Sequence, residues 1–164
     1  MKILERQLED IVFESDSDIL NGRGLGVHEK RIRQLRVGNY GICDMVAYQK
    51  QSHPFLKNIL SIQVIELKQH DISLATFNQA LKYVKGITRY LDKYKPDLRY
   101  TISIVLIGRK LYNDDSLMYL PELFEKHDDT LFGINGIYLY TYNYSIEGIE
   151  FKHHHGYCLT NEGF

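Results

Sequence analysis

A strand, a long helix and a second strand follow one another in the middle of the chain, and their order restricts the fold more than any other feature. Residues 60–68 alternate between apolar and polar side chains, and residues 100–108 form a run of β-branched and other apolar side chains. Between them, Asp71 and Ser73 are both suitable caps for a helix to about residue 93, with apolar side chains at every third or fourth position. Because a helical crossover normally joins parallel strands, we predict an α/β fold in which these two strands are parallel.

The segments on either side of this unit also show helix and strand patterns. Residues 2–13 carry an apolar stripe at helical spacing, and the glycines after them indicate a loop (Gly22, Gly24 and Gly26). A polar stretch over residues 50–57 is expected to separate the second strand from the third. The other predicted strands cover residues 31–37, 41–49, 137–144 and 149–155, and the last two are expected to form a β-hairpin.

Length and composition exclude several classes of protein. The length of 164 residues suits one domain, and the net charge of −1 argues against a polycation that coats nucleic acid. The two cysteines, Cys43 and Cys158, are too few for a disulfide framework, which predicts a reduced, cytoplasmic protein. We expect no secretory signal, because residues 1–6 contain no apolar segment, and no membrane span, because no stretch approaches about 18 apolar residues. We therefore expect a single domain over residues 1–164 with no membrane partner.

Charged side chains lie inside two of the predicted strands. Glu66 and Lys68 share one face of the third strand, and Asp44 lies among apolar residues of the second. Burying a charge without a partner is costly, so this region should contain a counter-ion, a metal or a ligand. If the two strands form a hairpin centred on Phe55, the numbers of facing residues add up to 110, and Asp44 faces Glu66. Facing Cβ atoms are about 4.5–5.5 Å apart, which suits two carboxylates that bind one divalent cation.

These residues resemble the PD-(D/E)XK phosphodiesterase core of restriction-endonuclease-like nucleases. Asp44 and the later Glu66-Leu67-Lys68 follow the central motif, although Cys43 stands where the family often has proline. Gln79 and Tyr83 resemble the Q-x-x-x-Y motif of the RecB-like and NucS-like branches, and residues 5–9 resemble an E-x-x-L segment. The resemblance covers about residues 3–108. It implies an α/β restriction-endonuclease-like core, αβββαβ, with a central mixed sheet flanked by helices and a C-terminal β-hairpin extension over about residues 109–164.

A metal site is the first implication of this resemblance. Asp44, Glu66 and the backbone carbonyl of Leu67 would hold Mg²⁺, which prefers oxygen ligands, and Mn²⁺ would substitute for it. Glu5 would reach the same site from the first helix, with Glu9 as the reserve candidate because exposed glutamates are common in first turns.

Hydrolysis of DNA phosphodiester bonds is the second implication, and RNA is left open as a substrate. Lys68 would orient or deprotonate the attacking water. Gln79 and Tyr83 are one helical turn apart, so both would face the same way and hold Lys68 and the scissile phosphate. The resemblance suggests an endonuclease of phage, mobile-element or repair type.

Charge is unevenly distributed along the chain. Basic residues dominate residues 23–36 and 82–99, whereas acidic residues dominate residues 111–130. Within the first basic segment we expect three arginines to contact phosphates without sequence preference: Arg31, Arg33 and Arg36. No separate recognition domain is evident, so a homodimer or a partner protein is the expected source of specificity.

Each of these interpretations has a competitor. Glu66 and Lys68 alone would suit a structural ion pair. The alternatives to the enzyme are a catalytically inactive nucleic-acid or protein binding module and a small α/β protein that binds an anionic metabolite or a partner protein. The histidines at 153–155 point to alternate faces of a strand, so they are not expected to bind one ion together. The tyrosines at every second position from 138 to 144 are expected in a packed sheet face or a dimer surface.

Overall fold

The computed structural model describes residues 3–53, 56–112, 117 and 134–154. Within these ranges the chain forms three α-helices, a short 3-10 helix and eight strands. In chain order they are α1 (Glu5–Glu14), α2 (Ser17–Gly22), β1 (Lys30–Arg36), the 3-10 helix (Gly38–Tyr40), β2 (Ile42–His53), β3 (Leu56–Leu67), β4 (Asp71–Ile72), α3 (Leu74–Tyr94), β5 (Tyr100–Gly108), β6 (Lys110–Leu111), β7 (Gly136–Ser145) and β8 (Gly148–His154).

Six of the strands form one mixed sheet in the order β1-β2-β3-β5-β7-β8. The pairs β3–β5 and β5–β7 are parallel, and the other three pairs are antiparallel. The predicted α/β class with a central mixed sheet is therefore confirmed. The C-terminal hairpin is part of this sheet, because β7 pairs with β5. The short strands β4 and β6 form a separate pair.

Helices cover both faces of the sheet, as a mostly buried parallel centre requires. On one face, Leu8 and Val12 of α1 pack in a cluster with β-strand residues such as Ile65. On the other face, Ala80 and Val84 of α3 belong to a second cluster. Nearly all of β5 beyond its first two residues is buried, which explains why its sequence is an unbroken apolar run. Among the described helices, none is long and apolar enough to cross a membrane.

The register predicted for the β2–β3 hairpin is confirmed. The numbers of paired residues add up to 110 from Met45↔Ile65 to Gln51↔Ile59, and the register shifts only near the turn. Residues 54 and 55, at the predicted hairpin centre, lie outside the described part of the chain. The prediction that β3 and β5 are parallel is also confirmed.

Three predicted boundaries are wrong. Both hairpin strands extend into the polar stretch at residues 50–57, because ladder hydrogen bonds continue into an exposed ribbon that needs no apolar alternation. The predicted glycine loop begins with the helix α2, where Leu20 is buried. The first helix begins at Glu5 rather than at residue 2. Of the two predicted caps, Ser73 is the N-cap of α3, and its backbone N–H donates to Thr76 Oγ1 at 3.2 Å, whereas Asp71 lies in β4.

Gly24 is required by its backbone conformation and by its neighbour. Its φ is +92°, and a Cβ built on it would lie 2.2 Å from the carbonyl oxygen of Phe151 in β8. The N–H of Phe151 donates to Arg23 O at 2.8 Å, so this loop is attached to the sheet edge. Neither the strand backbone nor the loop can move away without losing that bond.

We therefore expect Gly24→Ala to lower the free energy of unfolding by about 2–4 kcal/mol, measured by urea denaturation. Gly22→Ala is the matched control, because a Cβ on Gly22 meets nothing within 4 Å. The control should be neutral or slightly stabilising, since Gly22 is the last residue of α2. Equal stability of the two variants would contradict the contact between this loop and β8.

Candidate functional site

Asp44 and Glu66 lie at one end of the sheet, near the start of β2 and the end of β3. The paired register ends at Met45↔Ile65, and one further step along it places Asp44 opposite Glu66. Each carboxylate accepts a hydrogen bond from the backbone of the other strand: the N–H of Asp44 donates to Glu66 Oε1 at 3.4 Å, and the N–H of Leu67 donates to Asp44 Oδ2 at 2.9 Å. The predicted meeting of these two carboxylates is therefore confirmed.

Glu66 is buried and Asp44 is half-buried, and the pKa values of both carboxyls reflect this. The side chain of Glu66 has no solvent exposure. Burial, followed by the negative charge of Asp44, raises the pKa of Glu66 to about 8. Burial also raises the pKa of Asp44, against the opposing effects of the Leu67 N–H and the Lys68 ammonium. Glu66 Oε2 has no hydrogen-bond partner among the described residues.

Lys68 is the cation nearest to this pair. It follows the last residue of β3, and its backbone N–H continues the parallel ladder by donating to Ile107 O at 2.8 Å. Its Nζ lies 3.7 Å from Glu66 Oε2, and a quarter of its side chain (25%) is exposed. This contact is an ion pair without a hydrogen bond, so the ammonium remains available to a second partner.

Gln79 and Tyr83 lie one turn apart on α3 and point the same way, as predicted. The Nε2 of Gln79 donates to the Tyr83 hydroxyl at 3.1 Å. The Tyr83 side chain is buried, and burial is the main cause of its raised pKa, with the charge of Glu66 as a smaller contribution. Gly41, just before β2, leaves room for this ring, because a Cβ there would lie 3.2 Å from Tyr83 Cε1.

Both glutamates considered for the first helix lie near Asp44. Glu5 is exposed, its Oε2 accepts from the N–H of Gln69 at 3.2 Å, and its charge contributes to the raised pKa of Asp44. Glu9 Oε2 accepts from Gln34 Nε2 at 2.9 Å, and burial raises its pKa, with a smaller contribution from Asp44. With Asp44, both line a cavity of about 540 Å³, so the choice between them stays open.

Asp44 and Glu66 suit a hard divalent cation. Both supply carboxylate oxygens, which Mg²⁺ prefers, and the buried Glu66 Oε2 is an acceptor without a donor among the described residues. No group of three or more His, Cys, Asp or Glu side chains is arranged to hold a metal in the described part of the chain. Glu5 therefore does not join the pair as a third carboxylate ligand in this conformation.

The three arginines expected to contact phosphate have different surroundings. Arg31 donates to the carbonyl oxygen of Val12, and Arg33 donates to Asp10 Oδ1 at 2.8 Å, so both attach α1 to β1. These contacts exist because α1 packs beside β1, and the sequence pattern of β1 does not predict where α1 lies. Arg36 is exposed at the end of β1. Their role as phosphate contacts stays a prediction, and it would require Arg31 and Arg33 to exchange or share their present partners.

Two residues at this site do not stand out in the sequence. Gln34 is the only non-glycine residue with positive φ (52°) in the described chain, and the β1–β2 register places it opposite Asp44. No sequence signal predicts that conformation. Arg109 follows the end of β5 and lines a small cavity with Gln69 and His70. The sequence could have indicated Arg109, because residues that follow adjacent parallel strands meet at one edge of the sheet, and β5 was predicted to lie parallel to β3.

The C-terminal hairpin reaches the edge of the site through Tyr142, whose hydroxyl donates to Gln69 O at 3.0 Å. His153 stacks on Tyr140 with ring centroids 4.8 Å apart, and His154 Nε2 forms a hydrogen bond with Thr141 Oγ1 at 2.7 Å. His155 lies outside the described residues. Tyr140 and Tyr142 are buried in the core on the α1 face, so the expectation of a packed sheet face is met there.

Comparisons with known proteins found no similar protein. No family model matches this chain, and neither a curated protein nor a solved structure matches it. A function for this chain therefore has to be argued from its own residues and their geometry.

Proposed function

We propose that this chain is a Mg²⁺-dependent nuclease that hydrolyses DNA phosphodiester bonds, with the catalytic core of the PD-(D/E)XK phosphodiesterases that its motifs resemble. One observation carries the proposal: the half-buried Asp44 and the fully buried Glu66 lie next to each other, each accepting a backbone hydrogen bond from the other strand, with the Lys68 ammonium 3.7 Å from Glu66 Oε2.

A purely structural role explains this arrangement poorly. A structural ion pair needs one acid and one base, whereas here two acids share Lys68, whose Nζ is beyond hydrogen-bond distance of Glu66. The raised pKa values of Asp44 and Glu66 mean that ionising the pair costs stability. Such a cost is typical of residues arranged for a ligand, and a divalent cation would offset it.

The residues that would hold the cation are Asp44, Glu66 and the backbone carbonyl of Leu67. When bound, Mg²⁺ supplies Lewis-acid chemistry, which lowers the pKa of water and offsets the negative charge that develops on the phosphate. Glu5 and Glu9 line the adjoining cavity and add negative charge next to Asp44. This charge favours a cation over a second anion at the site.

Lys68 is the residue we assign to the attacking water. Its stem lies beside buried Glu66 and its side chain is partly exposed, so the ammonium can contact a water molecule or a phosphate oxygen. Gln79 positions the Tyr83 hydroxyl through their hydrogen bond, and Tyr83 is close enough to Glu66 and Asp44 for their charges to raise its pKa. We assign these two residues to the positioning of Lys68 and the scissile phosphate.

The direct test is a cleavage assay on single-stranded, duplex, flap and junction DNA with Mg²⁺ or Mn²⁺. We expect the wild type to cut at least one substrate, and Asp44→Asn to reduce the rate at least about 100-fold, because a ligand charge is lost. Asp97→Asn, at an exposed carboxylate in the turn after α3, is the matched control and should cut normally. No cleavage by the wild type would favour the inactive binding module, and an active Asp44→Asn protein would exclude this site.

A further inference from the structure

A second surface begins beside the candidate site and extends along α3. The end of β1, the 3-10 helix and residues 86–91 of α3 line a mostly apolar groove with a cavity of about 430 Å³. The pairing of Leu35 with Cys43 and of Arg36 with Ile42 places one wall of this groove next to Asp44 in the sheet. The groove therefore lies one strand position from Asp44, which itself lines the separate cavity beside α1.

Aromatic rings extend away from the site along one helix row. Tyr83, Ile87, Tyr90 and Tyr94 are spaced by four, three and four positions, so they lie on one side of α3. Tyr90 and Tyr94 are 58% and 57% exposed, and their ring centroids are 5.0 Å apart. Seven residues of helix separate Tyr83 from Tyr90, which is about 10 Å along the axis. An exposed tyrosine ring is thus held within about two helical turns of the candidate site.

Gly86 allows the opposite wall to approach this helix. A Cβ on Gly86 would lie 2.4 Å from Val37 Cγ1 and 2.7 Å from Tyr40 Cδ2. Glycine in the middle of a helix lowers the stability of that helix, so its presence here has a packing reason. Arg89 Nη1 donates to the Tyr40 hydroxyl at 2.5 Å, which fixes the Tyr40 ring at the edge of the groove.

Positive charge borders the groove. Arg36 is the one charged residue in its lining. Next to the groove, the helix α3 carries a row of exposed basic side chains at positions 82, 85, 89 and 93. Asp92, the only acidic residue of α3, accepts a hydrogen bond from the Tyr100 hydroxyl at 2.6 Å. The basic residues of that row are Lys82, Lys85, Arg89 and Lys93.

We propose that this groove binds an unpaired nucleotide of the substrate strand, with its base against Tyr90 and Tyr40 and its phosphates on Arg36 and the basic row of α3. The proposal rests on the nuclease function and specifies its substrate class: DNA with a single-stranded segment next to the cleaved bond. Exposed rings flanked by cations are the features with which proteins bind single strands, because every base has a face that stacks. A paired base in a duplex would have no free face to offer the groove.

The test measures binding without cleavage. A short fluorescein-labelled oligothymidylate and a blunt duplex are titrated with the protein in EDTA, and fluorescence anisotropy gives each Kd. We expect the single strand to bind more tightly than the duplex, and Tyr90→Ala to weaken single-strand binding by about 5- to 100-fold. Tyr90→Phe, which keeps the ring, should bind like the wild type. The matched control is Tyr138→Ala, at a 40% exposed tyrosine of β7.

The outcomes distinguish this inference from the proposed function. Unchanged single-strand affinity of Tyr90→Ala would overturn the groove inference, whether or not the protein cuts DNA. Tyr90-dependent binding by a protein that cuts nothing would support the groove and contradict the nuclease. A second copy of the chain is the other possible occupant of the groove, and sedimentation of the wild type and of Tyr90→Ala tests it. If the wild type is a dimer and the substitution dissociates it, another copy covers the groove. That result would overturn the inference.

Discussion

Above pH 8, we expect the Glu66→Gln protein to be more stable than the wild type in the absence of metal, by about 1–3 kcal/mol. The pKa of Glu66 is raised from 4.5 to about 8, so the folded state binds this proton more tightly than the unfolded state does. The stabilisation that comes with the proton is complete below pH 4.5 and is lost as the pH rises through 8. Glutamine does not ionise and removes this loss.

Thermal melts of both proteins from pH 4 to pH 9 in EDTA measure this difference. The two curves should nearly coincide at the acidic end and separate as the pH rises. Glu14→Gln, at an exposed carboxylate at the end of α1, is the control and should follow the wild type. If Lys68 and Glu66 formed a structural ion pair, Glu66→Gln would instead be less stable than the wild type at high pH.

The second large effect concerns Lys68. We expect Lys68→Ala to lose DNA cleavage by at least about 100-fold, because the group assigned to the attacking water is absent. The same variant should still be stabilised by Mg²⁺ in thermal melts, since Asp44 and Glu66 remain. Glu66→Gln should lose both cleavage and the Mg²⁺-dependent rise in melting temperature.

Lys110→Ala is the matched control for this experiment. Lys110 is an exposed lysine in β6 whose Nζ lies 3.6 Å from Asp71 Oδ2. Its substitution therefore removes a comparable ion pair at a position away from Asp44 and Glu66. The control should retain both cleavage and stabilisation by Mg²⁺. Full activity of Lys68→Ala would remove this residue from the mechanism, and a wild-type melt that does not respond to Mg²⁺ would argue against a metal at Asp44 and Glu66.

The site was predictable where it depends on local periodicity. The β2–β3 hairpin follows from two alternating segments, and its register then determines that Asp44 faces Glu66, because a shift by one residue would turn every side chain of the strand to the other face of the sheet. Gln79 and Tyr83 are neighbours for a similar reason, since four positions correspond to about one turn of a helix.

The surroundings of the site were not predictable in this way. Arg31 and Arg33 bind α1, Gln34 takes a left-handed conformation, and Arg109 lies at the site's edge of the sheet although it comes long after the hairpin in the chain. Each of these features depends on how segments far apart in sequence pack together. A periodicity of two or 3.6 residues carries no information about such contacts.

By itself, the sequence determined the repeating structures, the parallel arrangement of β3 and β5, and the meeting of Asp44 with Glu66, because these follow from side-chain period, crossover length and strand register. Only the tertiary structure decided the rest. It joined the C-terminal hairpin to β5, because the central strand had an unpaired edge whose backbone groups needed partners. It also brought Tyr40 against Gly86 and so formed the groove, because α3 and the end of β1 approach each other only when both are packed on the sheet.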